Sequence, residues 1–261
     1  MLILPLKTQV IPSGSVPRSP NKPPFHHNVS LIVSLTVGTP PQNVSMVIDT
    51  GSELSWLHCN KTLSYPTTFD PTRSTSYQTI PCSSPTCTNR TQDFPIPASC
   101  DSNNLCHATL SYADASSSDG NLASDVFHIG SSDISGLDFG CMDSVFSSNS
   151  DEDSKNTCLM GMNRGSLSFV SQLGFPKFSY CISGTDFSGL LLLGESNLTW
   201  SVPLNYTPLI QISTHCLTLI GLPTRSTFKP DHTGAGQTMK ILCKSQGQFS
   251  FFLFANWTFD L

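Results

Sequence analysis

The feature that most constrains this chain lies between residues 29 and 52. Val29, Leu31, Val33, Leu35 and Val37 are apolar, with Ser30, Ile32, Ser34 and Thr36 between them. A period of two sends alternate side chains to opposite faces, so the segment is predicted as a half-buried strand. Gly38-Thr39-Pro40-Pro41 ends it as a turn. Residues 43–48 read as the return strand, and they deliver Asp49 into Asp49-Thr50-Gly51-Ser52. The residue types suit a carboxylate that does chemistry. A glycine two positions on lets the backbone fold tightly and offer its N–H. The Ser52 hydroxyl is a second donor, and both donors favour the ionised acid. A bare Asp-Thr-Gly is ordinary turn chemistry, so the triplet alone predicts only a loop.

Other segments fill in the class. Residues 110–122 hold a polar tip between strand-like flanks and predict a hairpin. Residues 158–161 are a short apolar run, and 190–193 a buried strand candidate. Residues 164–174 read as a helix, with Leu167, Val170 and Leu173 three apart and Gly174 as the stop. Residues 60–102, rich in Ser, Thr, Pro and Cys, predict a stapled, loop-rich insert. Residues 1–28 are proline-rich and read as a leader or linker. After Ile212 the pattern fades, and residues 248–261 are crowded with aromatics, an aggregation hazard where exposed. Many short strands and few helices make the chain mostly β.

Composition removes several functions. Charged residues are 12% of the chain, the formal net charge is -5, and no basic run exists, which argues against nucleic acid. No apolar stretch approaches the roughly 20 residues of a membrane span. Ten cysteines are many for a reduced compartment, and five of them fall between Cys59 and Cys106. None forms a Cys-x-x-Cys pair and no histidine follows at finger spacing, so disulfides are expected rather than a metal site. His58 and His107 read as surface residues of the insert. Sequons at Asn28, Asn43, Asn60, Asn89, Asn197, Asn205 and Asn256 agree weakly with a secretory route. The opening MLILPL is too short for the roughly 7–15-residue core of a signal peptide, so an incomplete N-terminus is expected. There is no Gly-x-Ser-x-Gly elbow, His-Glu-x-x-His or phosphate-binding loop.

Several features in order carry a resemblance. LTVGTPPQNVSMVIDTGS, Trp56 seven residues after Asp49, Tyr112 in the predicted hairpin, and Leu159-Met160-Gly161 together resemble the pepsin-like aspartic proteases. The cysteine-rich insert, Phe139-Gly140-Cys141, LMGMNRGSLSFVSQL and Phe178-Ser179-Tyr180-Cys181 resemble the plant nepenthesin-like branch, most of all its atypical members of the promotion-of-cell-survival type. The resemblance covers about residues 29–212. It implies a mostly β, pepsin-like acid protease fold with its N-terminal lobe complete. It implies Asp49 as a catalytic carboxylate on the Thr50, Gly51 and Ser52 loop. Tyr112 resembles the flap tyrosine that closes over substrate and bonds Trp56, and Leu159, Met160 and Gly161 the segment beneath the site. It implies nested bridges Cys82–Cys106 and Cys87–Cys100, with Cys59–Cys141. Cys158 stands where the family has glycine, and Cys158, Cys181, Cys216 and Cys243 are given no partner. The substrate implied is peptide or protein, with no cofactor and no metal.

The family needs two aspartates, one per lobe, and Asp-Thr/Ser-Gly occurs here once, at 49–51. Residues 228–239 resemble the lead into the second motif, but KILCKSQG follows. A truncated or mis-spliced product is therefore expected, with the C-terminal lobe largely missing. The segments expected are a leader over 1–28, a lobe over 29–200 with its insert over 59–106, and an interlobe segment with a remnant of the second lobe over 201–261. Such a chain is expected to be inactive alone and open to self-association through its bare interlobe surface. The alternatives are a non-catalytic pepsin-fold protein that binds or inhibits a partner, and a fragment with no function of its own.

Overall fold

The computed structural model describes residues 1–11, 28–59, 68–112, 116–146, 158–182, 188–195, 205–213, 216–221, 238–245 and 248–256. The strands before the insert are β1 (Leu2–Ile11), β2 (Asn28–Val37), β3 (Gln42–Asp49) and β4 (Trp56–His58). The insert adds two short ones, β5 (Gln78–Thr79) and β6 (Ser99–Cys100). Two long hairpins follow, from β7 (Cys106–Ser111), β8 (Ser117–Ile129) and β9 (Ser132–Phe146). Then come β10 (Cys158–Gly161), helix α1 (Phe169–Gln172), β11 (Lys177–Ile182) and β12 (Ser188–Leu193). The last strands are β13 (Asn205–Ser213), β14 (Cys216–Gly221), β15 (Thr238–Ser245) and β16 (Gln248–Asn256).

The alternation in β2 works as read. Val33, Leu35 and Val37 are buried and Ser34 is exposed. The turn after β2 needs its glycine: Gly38 has φ +89°, and a Cβ there would stand 2.8 Å from the Ser74 hydroxyl. β3 returns antiparallel to β2 from Val37↔Gln42 to Ile32↔Val47, burying Val44 and Met46.

Strand pairing then closes on itself. β3 pairs β10 in parallel, β10 pairs β4, β4 pairs β9 in parallel, β9 pairs β8, and β8 returns to β2 at Val37↔Phe127. A closed ring has no open edge to template aggregation. The main core is built on it, with Val33, Met46, Leu57, Phe127, Phe139 and Met160 essentially inaccessible. Phe127 meets Phe139 and Phe169 edge-on at 5.6 and 5.9 Å, contacts worth about 0.5–1.5 kcal/mol each beyond their burial. A second cluster, with Leu54, Trp56, Ile80, Phe94, Leu122 and Leu167, joins the insert to the ring near β4 and the loop before it.

Four expectations change. Part of the 1–28 leader is a strand: β1 pairs β12 from Leu2↔Leu193 and β2 from Leu6↔Val33. Leu4 and Leu6 are buried while Ile3 and Pro5 are exposed, so the short opening has its own period of two. Residues 12–27 lie outside the described residues. The helix expected over 164–174 shrinks to the single turn of α1. Ser168 caps it from an extended backbone with ψ 150°, and its hydroxyl accepts the Ser171 N–H, so the regular helical geometry begins only at Phe169. Gly174 stops it at φ +68°, as read. His58 is buried rather than at the surface, its ring 5.2 Å from Trp56 and nearly perpendicular.

The fourth change is the bridges. Cys59–Cys141 forms as implied, with Cα atoms 5.3 Å apart. The other two are crossed, not nested: Cys82–Cys100 and Cys87–Cys106, with Cα separations of 5.4 and 5.7 Å. Burial sorts them. Cys87 and Cys106 both lie inside the second core cluster, whereas Cys100 is exposed and Cys82 only half-buried. The nested alternative would join an inner sulfur to an outer one twice. Cys158 is a free, buried thiol, and burial pushes it up to about 12.

Downstream, β12 buries Leu191 and Leu193 and pairs β11. The aromatic β16 is hydrogen-bonded on both sides, to β11 from Lys177↔Asn256 and to β15 from Met239↔Ala255. The stretch 228–237 and the sequons Asn60 and Asn197 lie outside the described residues. Among the described residues no helix is long and apolar enough to cross a membrane.

Candidate active site

Asp49 ends β3, and its carboxylate is held locally. The Gly51 N–H donates to Oδ1 at 2.8 Å, and the Ser52 hydroxyl donates to Oδ2. Both donors were legible in the motif. Thr50 sits half-buried on the turn between them.

The segment 159–161 passes directly beside this loop. β10 runs parallel to β3 with Met160↔Ile48 and Gly161↔Asp49, and Leu159 pairs Trp56 on its other side. The Met162 N–H donates to the Asp49 carbonyl at 2.9 Å and the Asn163 N–H to the Ser52 carbonyl at 3.1 Å. The Gly161 N–H donates to the Ser55 hydroxyl at 3.1 Å. A Cβ on Gly161 would stand 2.1 Å from the Glu53 carbonyl oxygen, so only glycine lets the two backbones meet. Leu159-Met160-Gly161 is thus a floor, with Met160 wholly buried.

The hairpin of β7 and β8 brings Tyr112 over Trp56. The Trp56 Nε1–H donates to the Tyr112 hydroxyl at 2.6 Å, across 56 residues of sequence. Trp56 is buried and Tyr112 half-buried. Residues 113–115 of the hairpin tip lie outside the described residues.

A polar group that the sequence reading passed over flanks the loop. Glu53 accepts the Leu167 N–H at 3.0 Å. Burial pushes its carboxyl above the usual carboxylate range; the Leu167 amide opposes this, Asp93 adds to it and Arg90 opposes it. Arg90, in the insert, donates to Asp138 at 2.7 Å and to the Ser166 carbonyl at 2.5 Å. Burial raises Asp138 as well, against the pull of Arg90. Only the position of Glu53, next to Ser52, could have drawn attention to it. Among the described residues no three His, Cys, Asp or Glu side chains converge on a common point.

A closed strand ring carrying an Asp-Thr-Gly loop, a floor strand and a tyrosine-bearing hairpin defines the N-terminal lobe of a pepsin-like fold. The chain belongs to the plant atypical aspartic proteases: residues 31–195 match the family described as xylanase inhibitor N-terminal, and the curated relatives agree. It is 61% identical to aspartic proteinase PCS1 of Arabidopsis thaliana, over 97% of this chain and 59% of that protein. It is 36% identical to aspartic proteinase nepenthesin-1 of Nepenthes gracilis, over 76% of this chain and 46% of that protein. The chain therefore spans only about half the length of the curated relatives it matches. Among solved structures, conglutin gamma, a basic 7S globulin from lupine seeds, superposes with a TM-score of 0.55 at 19% identity. That match covers 82% of this chain and 57% of the globulin, and it speaks to fold alone.

Proposed function

We propose that the chain carries one half of the catalytic dyad of an acid endopeptidase, with Asp49 as its carboxylate. The observation that carries this is the Asp49 carboxylate held by Gly51 and Ser52, together with a hairpin whose Tyr112 hydroxyl accepts the Trp56 indole N–H. In the proposed reaction a water lies between Asp49 and a second carboxyl, the two sharing one proton because like charges so close do not both ionise. The ionised carboxylate takes a proton from the water as its oxygen attacks the scissile carbonyl carbon. The protonated partner gives its proton to the carbonyl oxygen. The tetrahedral intermediate then collapses as that partner takes a proton back from one of its hydroxyls and the first carboxyl gives the proton it took from water to the leaving nitrogen. The C–N bond breaks and the amine departs with no acyl-enzyme. Tyr112 and Trp56 cover the substrate, and Leu159, Met160 and Gly161 keep the loop rigid. Thr50 is read as bracing the loop against a partner lobe.

The pair needs a second carboxylate, and the sequence given has one Asp-Thr/Ser-Gly. The 261 residues alone are proposed to be inactive as a monomer, and activity is proposed to need a second lobe that carries the partner aspartate. Three disulfides support folding in an oxidising, secretory compartment. The substrate class is peptide or protein. The test is acid-pH cleavage of a denatured protein by a chain that continues from Met239 into a second Asp-Thr/Ser-Gly lobe, against the 261-residue chain. Cleavage by the first that pepstatin blocks and Asp49→Asn abolishes is the expected result. A well-folded long chain that never cleaves overturns the reading and leaves a binding role.

A further inference from the structure

Glu53 follows the catalytic turn directly, and its carboxyl occupies the place of an absent side chain. A Cβ on Gly165 would stand 1.9 Å from the Glu53 Cδ and 2.2 and 2.3 Å from its two oxygens. Gly165 is not among the glycines with left-handed φ. Glycine is needed there to leave room for the carboxyl, not to relieve the backbone. Oε1 is then anchored by the Leu167 N–H at 3.0 Å.

The loop that receives the carboxyl is also the loop that holds Asp49. Its Met162 and Asn163 amides donate to the Asp49 and Ser52 carbonyls, and Asn163 Oδ1 accepts the Gly165 N–H at 2.7 Å. The same loop touches the insert through the Arg90 bond to the Ser166 carbonyl. Arg90 ends the turn Thr86–Arg90, which holds Cys87, and Cys87 is bridged to Cys106, the first residue of the hairpin strand β7. The charged groups acting on Glu53 are Arg90 and Asp93, both from the insert.

We infer that Glu53 is a positioning residue: its carboxyl is a peg in the Gly165 notch that fixes the Asp49 turn against loop 162–168 and, through Arg90, against the insert that roots the hairpin. Its functional meaning rests on Asp49 being catalytic, but its geometry does not. A longer side chain at 165 and a shorter one at 53 should therefore do the same damage, and together cancel part of it.

The experiment is amide exchange by mass spectrometry on the full chain and its Glu53→Ala, Gly165→Ala, double and Glu53→Gln variants, at about pH 4 and about pH 7 to bracket the carboxylate range. It needs no turnover, so its failure is separate from a failure of the protease reading. Glu53→Ala and Gly165→Ala each should speed exchange in peptides 49–57 and 161–168 by roughly tenfold, what loss of one buried hydrogen bond gives, while 117–146 stays protected. The double variant should recover part of that protection, because the new methyl fills the emptied notch. Glu53→Gln, which keeps an acceptor for Leu167, should keep protection at both pH values and lose the wild-type change between them. Additive damage in the double variant, or exchange that rises in 161–168 with 49–57 unmoved, overturns the inference. So does a Glu53→Gln chain that exchanges like Glu53→Ala.

Discussion

His128→Gln should make the stability of this lobe less sensitive to pH above about pH 6, the range in which an ordinary histidine titrates. The His128 Nε2–H donates to the Gly38 carbonyl at 2.9 Å, and Nδ1 faces Asp133 Oδ1 at 2.6 Å. Both partners are acceptors, so only the imidazolium satisfies both. The Gly38 carbonyl first, then Asp133, raises the ring above its ordinary value against partial burial, with Asp125 adding to it. A raised folded-state value means the contribution is whole below the unfolded value and is lost as pH climbs through the folded one. The Asp133 side chain is 72% exposed, so that half is worth only about 0–1 kcal/mol. The bond to Gly38 ties the turn between β2 and β3 to the β8–β9 hairpin, and a charged hydrogen bond contributes about 1.5–3 kcal/mol. Discounted for a ring one-fifth exposed, about 1–2 kcal/mol remains. At roughly 2–4 °C per kcal/mol for a chain of this size, the wild-type Tm should fall by about 2–8 °C through this group as the ring deprotonates. Glutamine carries no titrating proton, so its Tm should start lower in acid and converge on wild type as the raised His128 ring loses its proton, above the ordinary histidine range. Thermal melts by circular dichroism, stepped across the histidine range, make the measurement. A variant whose Tm falls as steeply as wild type would refute the assignment.

Gly161→Ala pushes a methyl against the Glu53 backbone, which has no flexible end to swing away. It should cost about 3 kcal/mol in urea unfolding, the upper end of overpacking, and a loss under 1 kcal/mol or so would show that the floor can shift. Tyr112→Phe removes the acceptor of the Trp56 indole; it should cost about 1 kcal/mol and change tryptophan emission, and unchanged emission would place the hairpin elsewhere in solution. Peptide mapping of the unreduced chain should recover Cys82–Cys100 and Cys87–Cys106 and not the nested pairs. Asn43 and Asn89 are exposed, and expression through a secretory route should add glycan mass at both; an unmodified Asn89 would count against that route.

What the sequence revealed of the site is what the chain makes locally. Gly51 and Ser52 reach Asp49 across two and three residues, so the motif alone contains the bonds that hold the carboxylate. The β2 strand was readable because Val33, Leu35 and Val37 on one of its faces are buried, which writes a period of two into the chain. Trp56 and Tyr112 are 56 residues apart and were paired through resemblance, since nothing in their own neighbourhoods points from one to the other. The crossed bridges were misread because connectivity depends on which sulfurs share the core, a fact of packing and not of order.

Glu53 marks where local reading stops. Nothing in the sequence singles out Glu53 beside Asp-Thr-Gly-Ser, or Gly165 within the 164–174 segment. Each is explained by the other, across 112 residues that leave no trace of the pairing in either segment. The same holds for Arg90, whose two bonds reach 48 and 76 residues away. A loop that holds a reactive carboxylate can make its short-range bonds by itself, but its rigidity must come from elements that local folding does not supply. In this lobe that support comes from β10, the loop after it and the insert, so residues with the weakest sequence signal sit where the Asp49 turn is fixed. Burial of Glu53 and Asp138 raises both carboxyls against the pull of the Leu167 amide and of Arg90, so what the two groups add to folding is larger in acid and falls as pH rises through the carboxylate range.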